Sequence, residues 1–309
     1  MSEGYWALRE SAAWFDLSAR GRIRAAGADR ARFLHAMSTN HIQQLRAGEG
    51  CYAFFLNAQG RIQADAYVLC FPDYFLLDTE PETRERLVAH LDRFIIADDV
   101  TLEDLSEALS CIAIEGPGAG DALAKLGAPA PGNPYAHVPW AEGFVAQLSA
   151  TGAVGYRIFG PAARKPALVA ELRLAGIPEA DAGAVLAARL EYGKPRYGDD
   201  LSEATLPHES GQMHAVHFSK GCYLGQEIVE RVRSRGRVNR MLSRLRIEAA
   251  QPPARGAKVW SGDKEAGEIT SSAYSPAMEC VLAYAFLRVE AIRPGATFEV
   301  DGRPAVRLA

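Results

Sequence analysis

The chain has no cysteine pair at CxxC spacing, no long apolar run and a formal net charge of only −4 over 309 residues. Its five cysteines, Cys51, Cys70, Cys111, Cys222 and Cys280, are odd in number and scattered. That excludes a disulfide framework or a zinc ribbon and fits a reducing compartment. No segment approaches the roughly 18 apolar residues of a membrane helix. The first residues carry early acids and no apolar core, so they do not read as a signal peptide. A cytoplasmic protein without membrane attachment is expected. The small negative charge gives no global attraction to nucleic acid. Gly116, Gly118 and Gly120 lack GxGxxG spacing, which argues against a dinucleotide loop. The steady βαβ rhythm of a doubly wound sheet is also absent.

What is present is ample core material, 48% hydrophobic residues. At about 100–200 residues per domain, the length suggests two or three units. A strand-like run over 21–26 leads to Asp29, placed to cap a helix that buries Phe33, Leu34 and Met37. Cys51–Leu56 and Ile62–Cys70 read as a hairpin turning at Asn57-Ala-Gln-Gly60. A strand over 74–77 follows, then Thr79-Glu-Pro-Glu82, which resembles a capping box ahead of a helix burying Leu87 and Leu91. A buried strand is expected over 110–115, and helices over 166–175 and 181–190. Beyond Arg240, apolar runs broken by Pro252-Pro253, Ser261-Gly262-Asp263, Ser275-Pro276 and Arg293-Pro294-Gly295 predict a small all-β unit. The boundary is placed near residue 240, giving regions 1–240 and 241–309.

The stretch Lys220-Gly-Cys-Tyr-Leu-Gly-Gln-Glu227 concentrates features of a site. Two glycines flank a lone thiol, and Arg231, Arg233, Arg235, Arg237 and Arg240 follow. Nearby cations lower a thiol pKa, and glycines permit close backbone approach. Cys222 is therefore either a partly exposed, reactive thiol or one more buried cysteine. The basic stretch suits a carboxylate- or phosphate-bearing small ligand better than nucleic acid, because aromatics nearby are few. Two acids draw notice elsewhere. Asp65 alternates with an apolar face formed by Ile62, Ala64, Ala66 and Val68, and spacing alone leaves it a solvated strand acid. Glu191 ends an apolar helix and could accept two parallel N–H bonds, or be a surface acid before a turn. His208, His214 and His217 match no zinc spacing, so no metal is expected.

Lys220–Glu227 followed by Arg231 resembles the signature of the YgfZ-type folate-binding proteins. These are relatives of the glycine cleavage T-protein, the aminomethyltransferase, and take part in iron–sulfur cluster assembly or repair. The resemblance covers essentially the whole chain. It includes Gly27–Asn40, the hairpin Leu56–Asp65, Arg189-Leu-Glu191 with Tyr197-Gly198, and Gly267–Ile269 with Leu282-Ala283. It implies an α+β fold of three lobes around a folate channel, two of them interleaved and the third a C-terminal β-barrel. Tetrahydrofolate is the implied cofactor. Asp65 would lie near the reactive folate nitrogens, and Glu191 would pair with the pterin edge. Arg231 would attract the glutamate tail, and Tyr223 and Cys222 would border the channel mouth. Asp65 and Cys222 are thus the candidate catalytic groups. The implied partners are folate and iron–sulfur enzymes or their assembly proteins, with no membrane. Some relatives carry tryptophans where this chain has Val185 and Arg20. The retained Asp65 also suits the alternative function, a folate-dependent aminomethyltransferase or related one-carbon enzyme. A single cysteine cannot hold a cluster of the usual four-thiolate kind, so any cluster contact would be shared or transient.

Overall fold

The turn Asn57–Gly60 sets the first sheet. Asn57 Oδ1 accepts from the amides of Gln59 and Arg61, each at 3.0 Å, and Gly60 takes φ 71°. A side chain that bonds its own following amides, then a residue free to adopt positive φ, is the chemistry of a tight reversal. The hairpin Gly50–Leu56 and Ile62–Cys70 that results is as expected from sequence. In the computed structural model, which describes residues 2–236 and 238–308, this hairpin opens a five-stranded sheet. Its order is Gly50–Leu56, Ile62–Cys70, Tyr74–Thr79, Gly21–Ala26, Thr101–Asp104, all antiparallel.

A second sheet runs Ala13–Asp16, Leu109–Glu115, Gly155–Pro161, Gly143–Ala146, His137–Trp140. Its first strand precedes the whole first sheet in the chain, so the two lobes interleave. Each sheet covers its outer face with helices. Arg30–Met37 and Arg84–Asp92 place Phe33, Leu34, Met37, Leu87 and Leu91 against Ala64, Ala66 and Val68. Ala119–Lys125 and Lys165–Leu174 do the same against Ile112, Ile114 and Ile158. The inner faces share one core that joins Phe54, Tyr67 and Leu69 of the first sheet to Cys111, Phe144 and Phe159 of the second. The strand carrying Asp65 is therefore buried on both sides.

Residues Arg240–Arg307 contribute six strands to a closed barrel. Its interior holds Leu245, Ile247, Val259, Ile269, Val281, Leu287, Phe298 and Val300. Closure removes the exposed edges that six short strands would otherwise present. The expected α+β fold with a C-terminal barrel is what the structure has.

Two local expectations are corrected. Thr79 does not open a capping box: it ends a strand, and its hydroxyl donates to the Asp65 carbonyl at 2.5 Å and meets Thr83 at 2.6 Å. Pro81 instead opens a 3-10 turn over Pro81–Thr83 that runs into the α-helix at Arg84. Ile62 does not share the outer face with Ala64. A register shift at Phe55/Leu56 turns it into the inner core with Phe54 and Leu56. Among the described residues no helix is long and apolar enough to cross a membrane.

Candidate functional site

Strand register assembles the site. Tyr52 pairs with Tyr67, Tyr67 with Asp78, and Asp78 with Arg22, one row of side chains crossing the first sheet. Asp65 lies two residues from Tyr67 on the same inner face. Asp65 is buried, and the Tyr52 hydroxyl donates to its Oδ2 at 2.5 Å. Its Oδ1 is buried and has no hydrogen-bond partner among the described residues. The solvated-acid alternative is thereby excluded. Burial, and then the nearby Glu80, push the Asp65 carboxyl up to about 6, against the pull of Tyr52, Arg20 and Lys194.

A cavity of about 440 Å³ opens onto this carboxylate. Phe15, Leu17, Tyr52, Tyr67, Val185 and Leu186 supply apolar and aromatic wall, and Arg20, Glu80, Arg157 and Lys194 supply charge. The charges rest on Asp78, which has no exposed surface. Arg20 Nε donates to Asp78 Oδ1 at 2.9 Å, and Arg157 reaches Asp78 Oδ2 from the second sheet. Burial alone would favour a neutral Asp78, but Arg20 and Arg157 outweigh it and hold its pKa below the usual carboxylate value. Arg20 also contacts Glu80, whose other oxygen pairs with Arg196 at 3.0 Å. Arg157 and Arg20 stand over the Tyr67 ring at 4.7 and 6.0 Å, so one aspartate and one tyrosine join the two lobes.

Lys194 completes the wall. It follows Gly193, the left-handed residue that ends helix Ala182–Tyr192, and its ammonium lies 5.3 Å and 5.5 Å from the ring centres of Tyr52 and Tyr67. Burial disfavours the charge, but the tyrosine oxygens of Tyr67 and Tyr135 outweigh it and keep the Lys194 pKa above its ordinary value.

The other sequence-predicted residues do not line this cavity. On helix Ala182–Tyr192 the cavity face is Ala182, Val185, Leu186 and Arg189, which leaves Glu191 on the far side. Its Oε1 accepts from Tyr5 and Ser275, each at 2.5 Å, and its Oε2 pairs with Arg9. The carboxylate expected to pair with a pterin edge is thus bonded to three protein groups and lies outside the Asp65 cavity lining. The carboxylate instead ties helix Glu3–Glu10 to a barrel strand.

The Lys220–Glu227 segment clasps the hairpin turn that leads to Asp65. Gly225, at φ 81°, brings its backbone so close that an added Cβ would stand 2.6 Å from the Asn57 carbonyl. Opposite it, a Cβ on Gly60 would stand 2.8 Å from Ile228. Lys220 is buried, and its ammonium donates to the carbonyls of His35 and Ser38, the latter at 2.5 Å. These belong to the C-terminal turn of helix Arg30–Met37, where a cation is favoured. Burial lowers the Lys220 pKa to about 7. Tyr223 is buried beneath this ammonium, 4.8 Å from ring centre to Nζ, and does not border the Asp65 cavity. Cys222 is exposed, whereas the other four cysteines are buried. Arg231 is exposed on helix Gln226–Arg235. Of the basic run, Arg237 lies outside the described residues.

Arg20 and Val185, named from sequence as positions where some relatives carry tryptophans, both line the cavity, whereas Tyr52, Arg157, Glu80 and Lys194 were not singled out. Lys194 was within reach, since it follows the helix-ending Gly193 inside a segment already marked as candidate.

Comparison with known proteins agrees with this architecture. Residues 1–220 match the GCVT N-terminal domain family, and residues 240–308 match the glycine cleavage T-protein C-terminal barrel domain. The aminomethyltransferase of Rubrobacter xylanophilus is 31% identical over 298 residues, covering 92% of this chain and 78% of that one. That of Herpetosiphon aurantiacus is 28% identical, covering 95% and 83%. The crystal structure of aminomethyltransferase T from Bartonella henselae superposes with a TM-score of 0.89 at 21% identity, over 99% of this chain and 87% of that one, a likeness of fold. This chain belongs to the glycine cleavage T-protein family.

Proposed function

We propose that the protein binds a reduced folate in the Asp65 cavity and acts as a folate-dependent one-carbon transferase of the aminomethyltransferase type. One observation carries this reading: a buried carboxylate with an unpartnered oxygen faces a cavity walled by Tyr52, Tyr67 and Phe15. The fit to a folate is good. The volume lies in the range of small-ligand sites, roughly 300–1,000 Å³. Flat aromatic walls suit a heterocycle, and the free Asp65 Oδ1 suits an N–H donor. When bound, tetrahydrofolate would supply nitrogens able to accept a one-carbon unit. This chain's part is to hold and move a proton. Tyr52 fixes the orientation of the Asp65 carboxylate, and a pKa near 6 lets that group take up and return a proton near neutral pH. The relatives' names favour this transferase role over the accessory role that the signature resemblance puts first. The test is to supply tetrahydrofolate and an aminomethyl-loaded lipoyl carrier protein. Methylene-tetrahydrofolate should form with the wild type, and its absence over an enzyme-free control would count against the transferase reading.

A second reading rests on Cys222, the one cysteine the fold presents at the surface among the described residues. It sits on a segment pinned by Lys220 at one end and Gly225 at the other. In this reading the protein is of the YgfZ type, a tetrahydrofolate-binding accessory to iron–sulfur enzymes or their assembly proteins, and Cys222 is its working thiol. Expression in a host lacking its own YgfZ should then restore iron–sulfur enzyme activity. A Cys222→Ala variant should not, and full rescue by that variant would remove the thiol from the mechanism.

A further inference from the structure

Five cationic side chains line the Asp65 cavity, and four already have anions. Arg20 pairs with Asp78 and Glu80, Arg157 with Asp78, Arg189 with Asp200 and Asp199, and Arg196 with Glu80, Glu82 and Asp199. Lys194 makes no ion pair among the described residues. Its ammonium rests on the faces of Tyr52 and Tyr67, a contact that recovers only part of the cost of withdrawing a charge from water. Such a group is commonly a snorkelling stem with its head in solvent, but Lys194 does not fit that description. It faces inward and also lines two adjoining cavities, of about 210 and 420 Å³. Its position is fixed through the backbone: the Lys194 amide donates to the Arg189 carbonyl, and Arg189 Nη1 donates to the Lys194 carbonyl, both at 3.0 Å. The lysine thus stands where three cavities meet, its backbone fixed and its ammonium in no ion pair among the described residues, held only by attraction to the tyrosine oxygens and to Asp65.

We propose that Lys194 is the anion-holding residue of this site, docking the glutamate carboxylate of the folate. This rests on the folate reading above and adds the point at which the ligand's charged end is held. The role is one that the sequence resemblance gave to Arg231, which is exposed and outside the cavity lining. A ligand carboxylate would complete the one cation of the wall that is unpaired among the described residues, whereas a cationic group at the same place would be repelled. The charge on the ligand, and not only its ring, then sets affinity.

Anaerobic calorimetry with two ligands tests this: tetrahydrofolate, and its bis-amide in which both glutamate carboxylates are neutral amides. The wild type should prefer tetrahydrofolate by about tenfold or more, the usual worth of a charge-assisted pair. Lys194→Met should bring the two affinities together by weakening tetrahydrofolate far more than the bis-amide, and a circular dichroism spectrum matching the wild type shows that the variant is folded. Arg231→Ala should keep the preference. A preference kept by Lys194→Met, or lost in Arg231→Ala, overturns the proposal. Equal wild-type binding of the two ligands overturns it while leaving the folate reading intact. Failure of the wild type to bind either ligand overturns both.

Discussion

An Asp78→Ala variant is expected to lose about 3–5 kcal/mol of folding stability, the cost of leaving buried charge without its partner. Asp78 has no exposed surface, and the two arginines it holds are themselves 5% and 1% exposed. Removing the carboxylate strands both guanidinium groups between the lobes, over the Tyr67 ring. Asp78→Asn should fare only slightly better, because an amide keeps an acceptor but not the charge. The pH dependence has a definite sign. The folded-state pKa of Asp78 lies below its unfolded value, so its contribution is present above the ordinary carboxylate pKa near 4 and is lost as the pH falls further. Denaturant unfolding of wild type and variant at neutral pH measures the loss. A change under about 1 kcal/mol would show that the buried pairs count for little.

Asp65→Asn should do the opposite to stability and remove function. The Asp65 pKa of about 6 lies above the unfolded value near 4, so the protonated form is the one the fold prefers. Its stabilising effect is complete below about pH 4 and disappears as the pH rises through about 6. At pH 7.5 the ionised carboxylate therefore costs roughly 3 kcal/mol, and a neutral asparagine avoids that cost. Melting curves at pH 7.5 should show the variant several degrees more stable, and at pH 4 the two proteins should coincide. Stability gained by removing a strained functional group normally comes with lost activity. One-carbon transfer should accordingly fall by about 10²-fold or more, the usual worth of a positioned acid–base group. Equal melting temperatures at pH 7.5 would show that Asp65 is not held in a charge-disfavouring site.

The elements that sequence could show are those fixed by local chemistry. Asn57 and Gly60 define a turn by themselves, and Leu245 to Val300 alternate as a barrel core must. Asp65 was visible as a candidate through its motif, but its burial was not. What covers it is the second sheet, whose strands come from residues 13–16 and 109–161, some fifty residues away on either side. The same reason hid most of the wall: residues 52, 80, 157 and 194 converge from different strands and loops. Glu191 was chosen for its chemistry, and its position on the helix sets it apart from the residues that line the cavity. With Ala182, Val185 and Arg189 on one face, a residue two positions beyond Arg189 points away. Lys220 was taken as a thiol activator because it is near Cys222 in sequence. Its ammonium is instead committed to the carbonyls of His35 and Ser38, a contact across some 180 residues that no local pattern displays.

The folate proposal stands or falls on whether the Asp65 cavity binds tetrahydrofolate. Anaerobic calorimetric titration of tetrahydrofolate into wild type, Asp65→Asn and Glu191→Gln tests it most directly. Saturable binding of one folate per chain is predicted for the wild type, weakened about tenfold in Asp65→Asn and unchanged in Glu191→Gln. No binding to the wild type, or weakening by Glu191→Gln with none by Asp65→Asn, would contradict it.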